Sequence, residues 1–271
     1  YGRAVADASC AVVDDDGRFI AVAPALIEDD GEVIALGGSS TVFPAAPDPD
    51  VLGAAILHLR GLARRLNATL EFRSSSLAAA PLEKVPHGAA APDRDRDTSW
   101  MTRVIDLQRP EAELWVNVRK SYHSIINGKR NLAVVIFGGS GAGTIEMCRT
   151  IHRQAAGRET RPEATWRAMA EWAEEGFMLP ALSFLGARAV AFALWIVYRG
   201  AAYYASGASI EDDVQHAVIW RSLLALRARG VRIAELGWQG KAETDKERGI
   251  EHFKAGFGGR DVPIIAAELE G

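Results

Sequence analysis

Residues Glu235 to Gly259 read E-L-G-W-Q-G-K-A-E-T-D-K-E-R-G-I-E-H-F-K-A-G-F-G-G. An apolar strand, Val231 to Leu236, runs into a loop punctuated by Gly237 and Gly240. A short polar helix follows from Asp245 to Phe253, and Phe253-Lys254-Ala255-Gly256-Phe257-Gly258-Gly259 closes the stretch. Glycines permit tight backbone approach, and Phe253 and Phe257, four apart, anchor a turn in a core. A single lysine in that setting reads as a placed cation; the plainer alternative is a surface lysine beside a packed aromatic turn.

Working back from that stretch, the chain alternates strand and helix. Gly230 stops a long apolar helix that spans Asp212 to Arg229. Before it, Leu179 to Leu185, Ala189 to Tyr198 and Ala201 to Ser206 form a three-stranded meander. Helices are expected over Thr144 to Gln154 and Pro162 to Glu175, and a strand over Leu132 to Phe137. Pro110 starts a helix at its first position that runs to Asn127, after a strand from Thr102 to Leu107. A single strand, Val262 to Ala267, ends the pattern.

The first third opens with hairpins. Ser9 to Val13 and Arg18 to Leu26 are apolar runs joined by Asp14-Asp15-Asp16-Gly17, and Asp29-Asp30-Gly31 leads to a third strand, Glu32 to Leu36. Asp-Gly between apolar runs marks a hairpin because its turn needs positive φ. After the loop of Gly37 to Ser40 and Pro44, Pro47 and Pro49, Asp50 caps a helix that carries Leu52, Ala55, Ile56, Leu59, Leu62, Ala63 and Leu66 on one face. Thr69 to Arg73 is a strand, and Ser74 to Ser99, rich in Ala, Pro and charge, is a long excursion or linker.

Two segments echo each other. Leu62-Ala63-Arg64-Arg65-Leu66-Asn67-Ala68-Thr69-Leu70-Glu71-Phe72 parallels Leu226-Arg227-Ala228-Arg229-Gly230-Val231-Arg232-Ile233-Ala234-Glu235-Leu236. Each is a helix that ends in arginine plus a small residue and then a strand, which suggests two copies of one α/β unit. The expected division is 1–108 and 109–271, with the last strand packing back on the first unit.

The chain of 271 residues, 48% hydrophobic and 24% charged, has the composition of a globular protein, and a net charge of −4 gives no global pull toward nucleic acid. No apolar run reaches membrane-spanning length. Cys10 and Cys148, each in an apolar context, read as buried free thiols, which fits a reducing cytoplasm. The chain opens Tyr1-Gly2-Arg3 without Met, so a preceding segment is expected, and no signal-peptide pattern stands in what remains. No histidine pair has metal-ligand spacing and no Cys-x-x-Cys occurs, so no metal is expected.

The segments Asp106 to Gly259 resemble the second half of the FemAB-like transferases, a family with two GNAT-like acyltransferase domains in tandem. The Phe-Lys-x-Gly-Phe-Gly-Gly element at 253–259 carries most of the resemblance; upstream it rests on the order of elements. The resemblance implies an α/β fold of mixed sheets and an N-acyltransferase that forms an amide by moving an aminoacyl or acyl group to an amine, in cell-wall or natural-product biosynthesis. Phe253-Lys254 matches the family's Phe-Lys pair, whose lysine is implicated in transfer beside the scissile ester. Tyr204, or its neighbour Tyr203, matches a tyrosine that faces the acceptor. Arg161-Pro162 matches an arginine that binds acceptor phosphates, but where the family has a tyrosine one turn on, this chain has Thr165-Trp166. Val33 to Pro49 contains no lysine to match the first-domain phosphate lysine.

Other features leave two readings each. Trp238, Gln239 and Lys241 follow a strand's carboxyl end, where open α/β sheets border ligands, or form a plain polar loop. Phe137-Gly138-Gly139-Ser140-Gly141-Ala142-Gly143-Thr144 links a strand to a helix, but neither a Gly-Lys-Ser/Thr nor a G-x-G-x-x-G spacing follows, which favours a connector. His252 reads as solvated. Arg119, Lys120, Lys129, Arg130, Arg149, His152, Arg153, Arg158, Arg161 and Arg167 make the middle of the chain cationic, as a solvated surface or as a patch for tRNA or a phosphorylated acceptor. The turn Ser206 to Asp213 lacks the Q/R-x-x-G-x-G/A loop of CoA-binding domains and carries Glu211, Asp212 and Asp213. No bound cofactor is expected, and the cosubstrate is an aminoacyl-tRNA or an acyl-CoA. Two alternatives stand beside the FemAB-like reading: a CoA-dependent N-acetyltransferase acting on a sugar amine or polysaccharide precursor, and a non-catalytic binding module on a degenerate scaffold.

Overall fold

The computed structural model describes residues 4–23, 26–29, 34–36, 42–43, 49–74, 96–97, 100–128, 132–138, 141–240, 242–264 and 266–270. The expected turn at Asp30-Gly31, the loop at 37–40 with Pro44 and Pro47, nearly all of the excursion at 74–99, and Lys129, Arg130, Gly139, Ser140 and Lys241 lie outside them. The chain divides into two compact units, 1–101 with 262–271, and 102–261.

In the first unit, β1 (Ala4–Asp7), β2 (Cys10–Val13), β3 (Phe19–Ala23), β4 (Leu26–Asp29), β5 (Ile34–Leu36) and β6 (Val42–Phe43) precede helix α1 (Pro49–Leu66), followed by β7 (Thr69–Ser74) and β8 (Arg96–Asp97). The β2–β3 hairpin forms at the expected Asp-Gly turn. Asp14 Oδ1 accepts the Asp16 and Arg18 amides at 3.0 and 2.8 Å, and Gly17 takes φ +77°. The expected strand Arg18 to Leu26 is instead two elements, β3 and β4, which belong to different sheets. Helix α1 begins at Pro49, so Asp50 lies within its first turn rather than at its cap.

The second unit runs β9 (Trp100–Asp106), α2 (Glu111–Asn117), α3 (Lys120–Ile126), β10 (Leu132–Ile136), α4 (Ala142–Ala156), α5 (Glu163–Glu174), β11 (Met178–Leu185), β12 (Arg188–Tyr198), β13 (Ala201–Ser209), α6 (Gln215–Ala228), β14 (Ile233–Gln239), α7 (Asp245–Ala255) and β15 (Arg260–Ile264). Its sheet has the order β10-β11-β12-β13-β14-β9-β15. The expected meander is β11–β12–β13, antiparallel throughout. Alternation along β12 buries both faces: Ala191, Ala193 and Trp195 join the core formed with α6, and Phe192 and Leu194 join that formed with α4 and α5. The single terminal strand expected at 262–267 is two: β15 closes this sheet, and β16 (Ala266–Glu270) pairs antiparallel with β7 in the other.

The helix expected from Pro110 to Asn127 is broken. Val118 and Arg119 are extended, with ψ 136° and 131°. A tertiary bond replaces the helical one: the Arg119 amide donates to the Gly256 carbonyl at 2.8 Å. His123 Nε2 donates to the Trp115 and Val118 carbonyls at 3.2 and 3.0 Å and stacks on Trp115, satisfying the end of α2. Pro110 and Pro162 both sit at N-caps, one position before the first helical residue. Helix α6 starts at Gln215, later than Asp212, because Asp213 adopts φ +63°.

The internal echo has a structural counterpart. Helix α1 ends with Asn67 at φ +50°, its amide bonding Arg64 O at 3.3 Å and the Ala68 amide bonding Ala63 O at 2.9 Å. Helix α6 ends with Gly230 at φ +80°, its amide bonding Arg227 O at 3.0 Å and the Val231 amide bonding Leu226 O at 3.1 Å. These are two copies of a Schellman cap. They make Asn67 correspond to Gly230, one residue away from the match of Glu71 with Glu235 that the sequence suggests. In each unit the strand after the cap runs parallel to a strand that precedes the helix: β7 beside β5 and β6, and β14 beside β13. Gly230→Ala is expected to lower unfolding free energy by about 1 kcal/mol, because alanine resists positive φ, whereas Asn67→Gly leaves it unchanged or slightly raised; urea denaturation reads both.

Candidate active site

Strands β13 and β14 pair at Ala201–Ile233, Ala202–Ala234 and Tyr203–Glu235, and no further. Beyond that rung β13 continues to Ser209 and β14 to Gln239, so the sheet opens at the carboxyl ends of both strands. An opening between parallel strands is where α/β sheets take ligands.

Lys254 stands at this opening. It lies in the last turn of α7, where the helix dipole favours a cation. The helix is fixed at its start by a capping box: Thr244 Oγ1 accepts the Glu247 amide, and Glu247 Oε2 accepts the Thr244 amide. Only 7% of Lys254 is exposed. Its Nζ lies 5.0 Å from the centroid of the Trp238 ring, a cation–π contact. A Cβ on Gly237 would stand 3.3 Å from that Nζ and 3.7 Å from Tyr203 Oη. With φ +86°, Gly237 gives the bend and the space that let the ammonium reach the strand.

Glu235, 8% exposed, accepts a 2.8 Å hydrogen bond from Thr102 Oγ1. Burial pushes the Lys254 ammonium down to about 8, and the Glu251 and Glu235 carboxylates act against that shift. The group is therefore mainly protonated at neutral pH. Between about 8 and its ordinary 10.5 the unfolded chain holds the proton that the native state has released, so stability rises with pH across that window.

Phe253 faces elsewhere, as adjacent helical residues must. Its ring packs against His216 at 5.0 Å, Phe257 at 5.2 Å and Tyr122 at 6.2 Å. It is the anchor of the turn, while its neighbour carries the charge. A Cβ on Gly256 would overlap the Tyr122 ring, and Arg119 reaches both Tyr122 Oη and the His252 carbonyl. His252 is exposed, as the sequence suggests.

Of the two tyrosines, Tyr203 is the one beside Gly237 and Lys254. Tyr204 points into the unit: its hydroxyl accepts Gln215 Nε2 at 3.2 Å, and burial pushes it up to about 12. Gln239 is 6% exposed, and its Nε2 donor has no partner among the described residues. Arg161 lies against the opened half of β13, donating to Ser206 Oγ at 3.0 Å and standing 5.4 Å from the Trp166 ring centroid. Trp166 is buried beneath it, edge-on to His152.

Two more members of the expected cationic run are held in ion pairs. Arg149 pairs with Glu146 and Glu159, and Arg167 with Glu163. At the glycine-rich connector, the Glu174 carboxylate fills the space beside Gly141 at the start of α4, where a phosphate would have to sit. The start of α6 is acidic, with Glu211 paired to Arg188. Cys148 is buried and Cys10 only half-buried, a correction to the expectation of two buried thiols; neither forms a disulfide. Among the described residues no helix is long and apolar enough to cross a membrane.

Glu235 and Thr102 were not singled out from the sequence. The available signal was a carboxylate between Ala234 and Leu236 in an otherwise apolar strand, which needs a partner if buried.

No family model matches the chain, and no curated protein matches it in sequence. Among solved structures, FemX is 13% identical and aligns over 97% of this chain and 87% of its own, with a TM-score of 0.69. The C-terminal domain of a putative lysylphosphatidylglycerol synthetase from Agrobacterium fabrum is 13% identical over 97% and 84%, with a TM-score of 0.63. A tandem GNAT protein from the clavulanic acid biosynthesis pathway is 14% identical over 98% and 84%, with a TM-score of 0.55. The fold is thus an α/β one, similar along nearly the whole chain to FemAB-like and tandem GNAT proteins.

A lysine titrating near pH 8 is expected in spectra of 13Cε-labelled protein, absent from Lys254→Met. In Glu235→Gln that titration moves lower still, since a carboxylate that holds the proton on has gone.

Proposed function

We propose that this chain is an amide-forming acyltransferase that moves an acyl or aminoacyl group from an activated ester to an amine. The observation that carries this reading is the buried Lys254 ammonium at the opening of β13 and β14, between Trp238, Gly237 and Glu235. Attack of a neutral amine on an ester carbonyl forms the C–N bond and builds negative charge on the carbonyl oxygen; the C–O bond then breaks, and the proton shed by the amine nitrogen ends on the leaving oxygen. A fixed cation in a site of low dielectric stabilises that charge better than water does. Tyr203 borders the same opening, and Gln239, at the end of β14 past the last shared rung, brings a buried Nε2 donor, unpartnered among the described residues, that suits an acyl carbonyl. Trp238 shields the ammonium from solvent, and Arg161 over Trp166 offers a cation for an anionic acceptor. Phe253 sets the position of Lys254 from the core side.

The donor we favour is an aminoacyl-tRNA, used as a cosubstrate without a bound cofactor. The acidic start of α6 supports this, since Glu211, Asp212 and Asp213 disfavour a pyrophosphate there. One structural neighbour is by name the C-terminal domain of a putative lysylphosphatidylglycerol synthetase, and that name joins an amino acid to an acceptor.

A thermal-shift screen with acetyl-CoA, longer acyl-CoAs, aminoacyl-tRNA and UDP-sugars identifies the ligand. Transfer assays then follow loss of radiolabel from an aminoacyl-tRNA pool to amine acceptors or water. Lys254→Ala is expected to lower kcat about a hundredfold or more. Wild-type kcat/KM falls as pH rises through about 8, where Lys254 loses its proton, whereas Lys254→Arg keeps whatever activity it has above that pH. Full activity in Lys254→Ala would remove the mechanism, and silence across donors would favour a binding module.

A further inference from the structure

At the other end of β13 and β14, where the strands pair, the β12–β13 hairpin turns through Arg199 and Gly200, with φ +45° and +80°. Positive φ at both central positions is the type I′ pattern, in which asparagine or glycine is at ease in the first position. Arginine there is strained, and strain kept at one exposed position directs attention to what the side chain does. The Arg199 guanidinium lies 5.2 Å from the Tyr198 ring centroid, and Tyr198 stands 6.5 Å from the Phe177 ring. Both rings are exposed, Tyr198 at 56% and Phe177 at 46%.

A second guanidinium is brought to the same turn. The Arg232 amide donates to the Gly200 carbonyl at 2.7 Å, and its Nε would lie 3.2 Å from a Cβ on Gly200. The missing side chain of Gly200 is what lets Arg232 lie across the turn. Arg229, three residues earlier, is also exposed, and its guanidinium lies beside Gly138, which follows β10. Among the described residues none of these three arginines has an ion-pair partner, in contrast to Arg149 and Arg167. Like charges held close without a counter-ion raise the affinity of the surface for an anion. Guanidiniums interleaved with exposed aromatic rings fit a polyanion that also presents planar faces and sugars.

We infer that the Tyr198-Arg199-Gly200 turn, with Arg232, Arg229 and Phe177, is an RNA-docking surface that grips the phosphodiester backbone of the donor's stem. This rests on the aminoacyl-tRNA reading above. Strand β14 joins the two places: from Arg232 to Gly237 the rise of about 3.3 Å per residue gives roughly 17 Å. A stem held at this turn is therefore close enough for its acylated 3′ end to enter the opening beside Lys254. The preorganised turn favours RNA over a membrane surface, since attraction to anionic lipid requires neither a fixed guanidinium geometry nor the strain.

The test uses the full chain and a fluorescein-labelled RNA microhelix ending in single-stranded CCA, with phosphatidylglycerol vesicles as a separate arm. Wild type binds the microhelix, and Arg199→Asn with Arg232→Gln weakens it about tenfold and flattens the slope of log Kd against log salt by about 2. Arg199→Asn alone raises the melting temperature, because asparagine tolerates the turn, while still weakening RNA binding; a folding defect cannot produce that pair of results. Tyr198→Ala weakens binding several-fold. Hydrolysis of a small aminoacyl ester lacking RNA is unchanged in all of these and lost in Lys254→Ala. Unchanged RNA affinity and salt slope in the double variant would overturn the docking surface. So would vesicle binding that depends on these residues while RNA binding does not. Loss of ester hydrolysis from wild type itself would instead overturn the transferase reading, with RNA binding reporting separately.

Discussion

The second unit is organised around one unfinished rung. After Tyr203 and Glu235 the two parallel strands stop bonding to each other, and everything that distinguishes this unit chemically follows from that gap. Unpaired strand ends leave backbone polar groups and side chains facing a space that the sheet does not fill. Into that space the chain sends an ammonium from the next helix, and it removes a side chain at Gly237 to make room. A charge placed there is only tolerable with compensation: Glu235 and Glu251 favour it, the Trp238 face adds a weak attraction, and the α7 carboxyl end contributes its dipole. Even so, burial wins, and the group holds its proton less firmly than a solvated lysine does.

Holding that ammonium in place needs a rigid mount, and the mount explains the broken helix. The Arg119 amide leaves the helical pattern to bond Gly256, and the Arg119 guanidinium reaches the carbonyl of His252. Together with Tyr122 over Gly256, these contacts bind the α2–α3 junction to the last turn of α7 from the core side. The ring cluster of Tyr122, His216, Phe253 and Phe257 then fixes the direction in which Phe253 points, and the helix geometry fixes Lys254 on a different side. The site is precise because its support lies in regular elements rather than in a loop.

Much of this was legible in the sequence, and the limits are physical. The β11–β12–β13 meander, α6 with its glycine stop, and the placed lysine came from local rules: apolar alternation, a Gly at a left-handed cap, aromatics four apart. The break at Val118 and Arg119 was not legible, since the competing bond to Gly256 is 137 positions away in the numbering and no local signal encodes it. The division of the last apolar run between β15 and β16 was likewise invisible, because one run serves two sheets. The choice between Tyr203 and Tyr204 could not be made from alternation alone. The register shift between β12 and β13, where Leu194 faces Ser206 but Trp195 faces Tyr204, sets which ring turns toward Gln215. Glu235 stands out only once its burial is known, and its partner Thr102 lies on a strand distant in sequence.

The two crossovers also show how a repeated scaffold can differ in use. Each joins parallel strands through a helix with the same Schellman ending, so backbone geometry alone does not separate them. The difference lies in which local rules the second unit breaks. A glycine with φ +86° bends β14, a lysine is 7% exposed, and the buried Gln239 Nε2 has no partner among the described residues, all on or against the end of β14. The buried ammonium and the unpartnered amide are each unfavourable for folding by themselves, and selection for stability alone would favour apolar residues at Lys254 and Gln239. Their position at the carboxyl end of β14, past the last rung shared with β13, gives the opening its chemical character: a cation and an amide donor, both held in a buried setting.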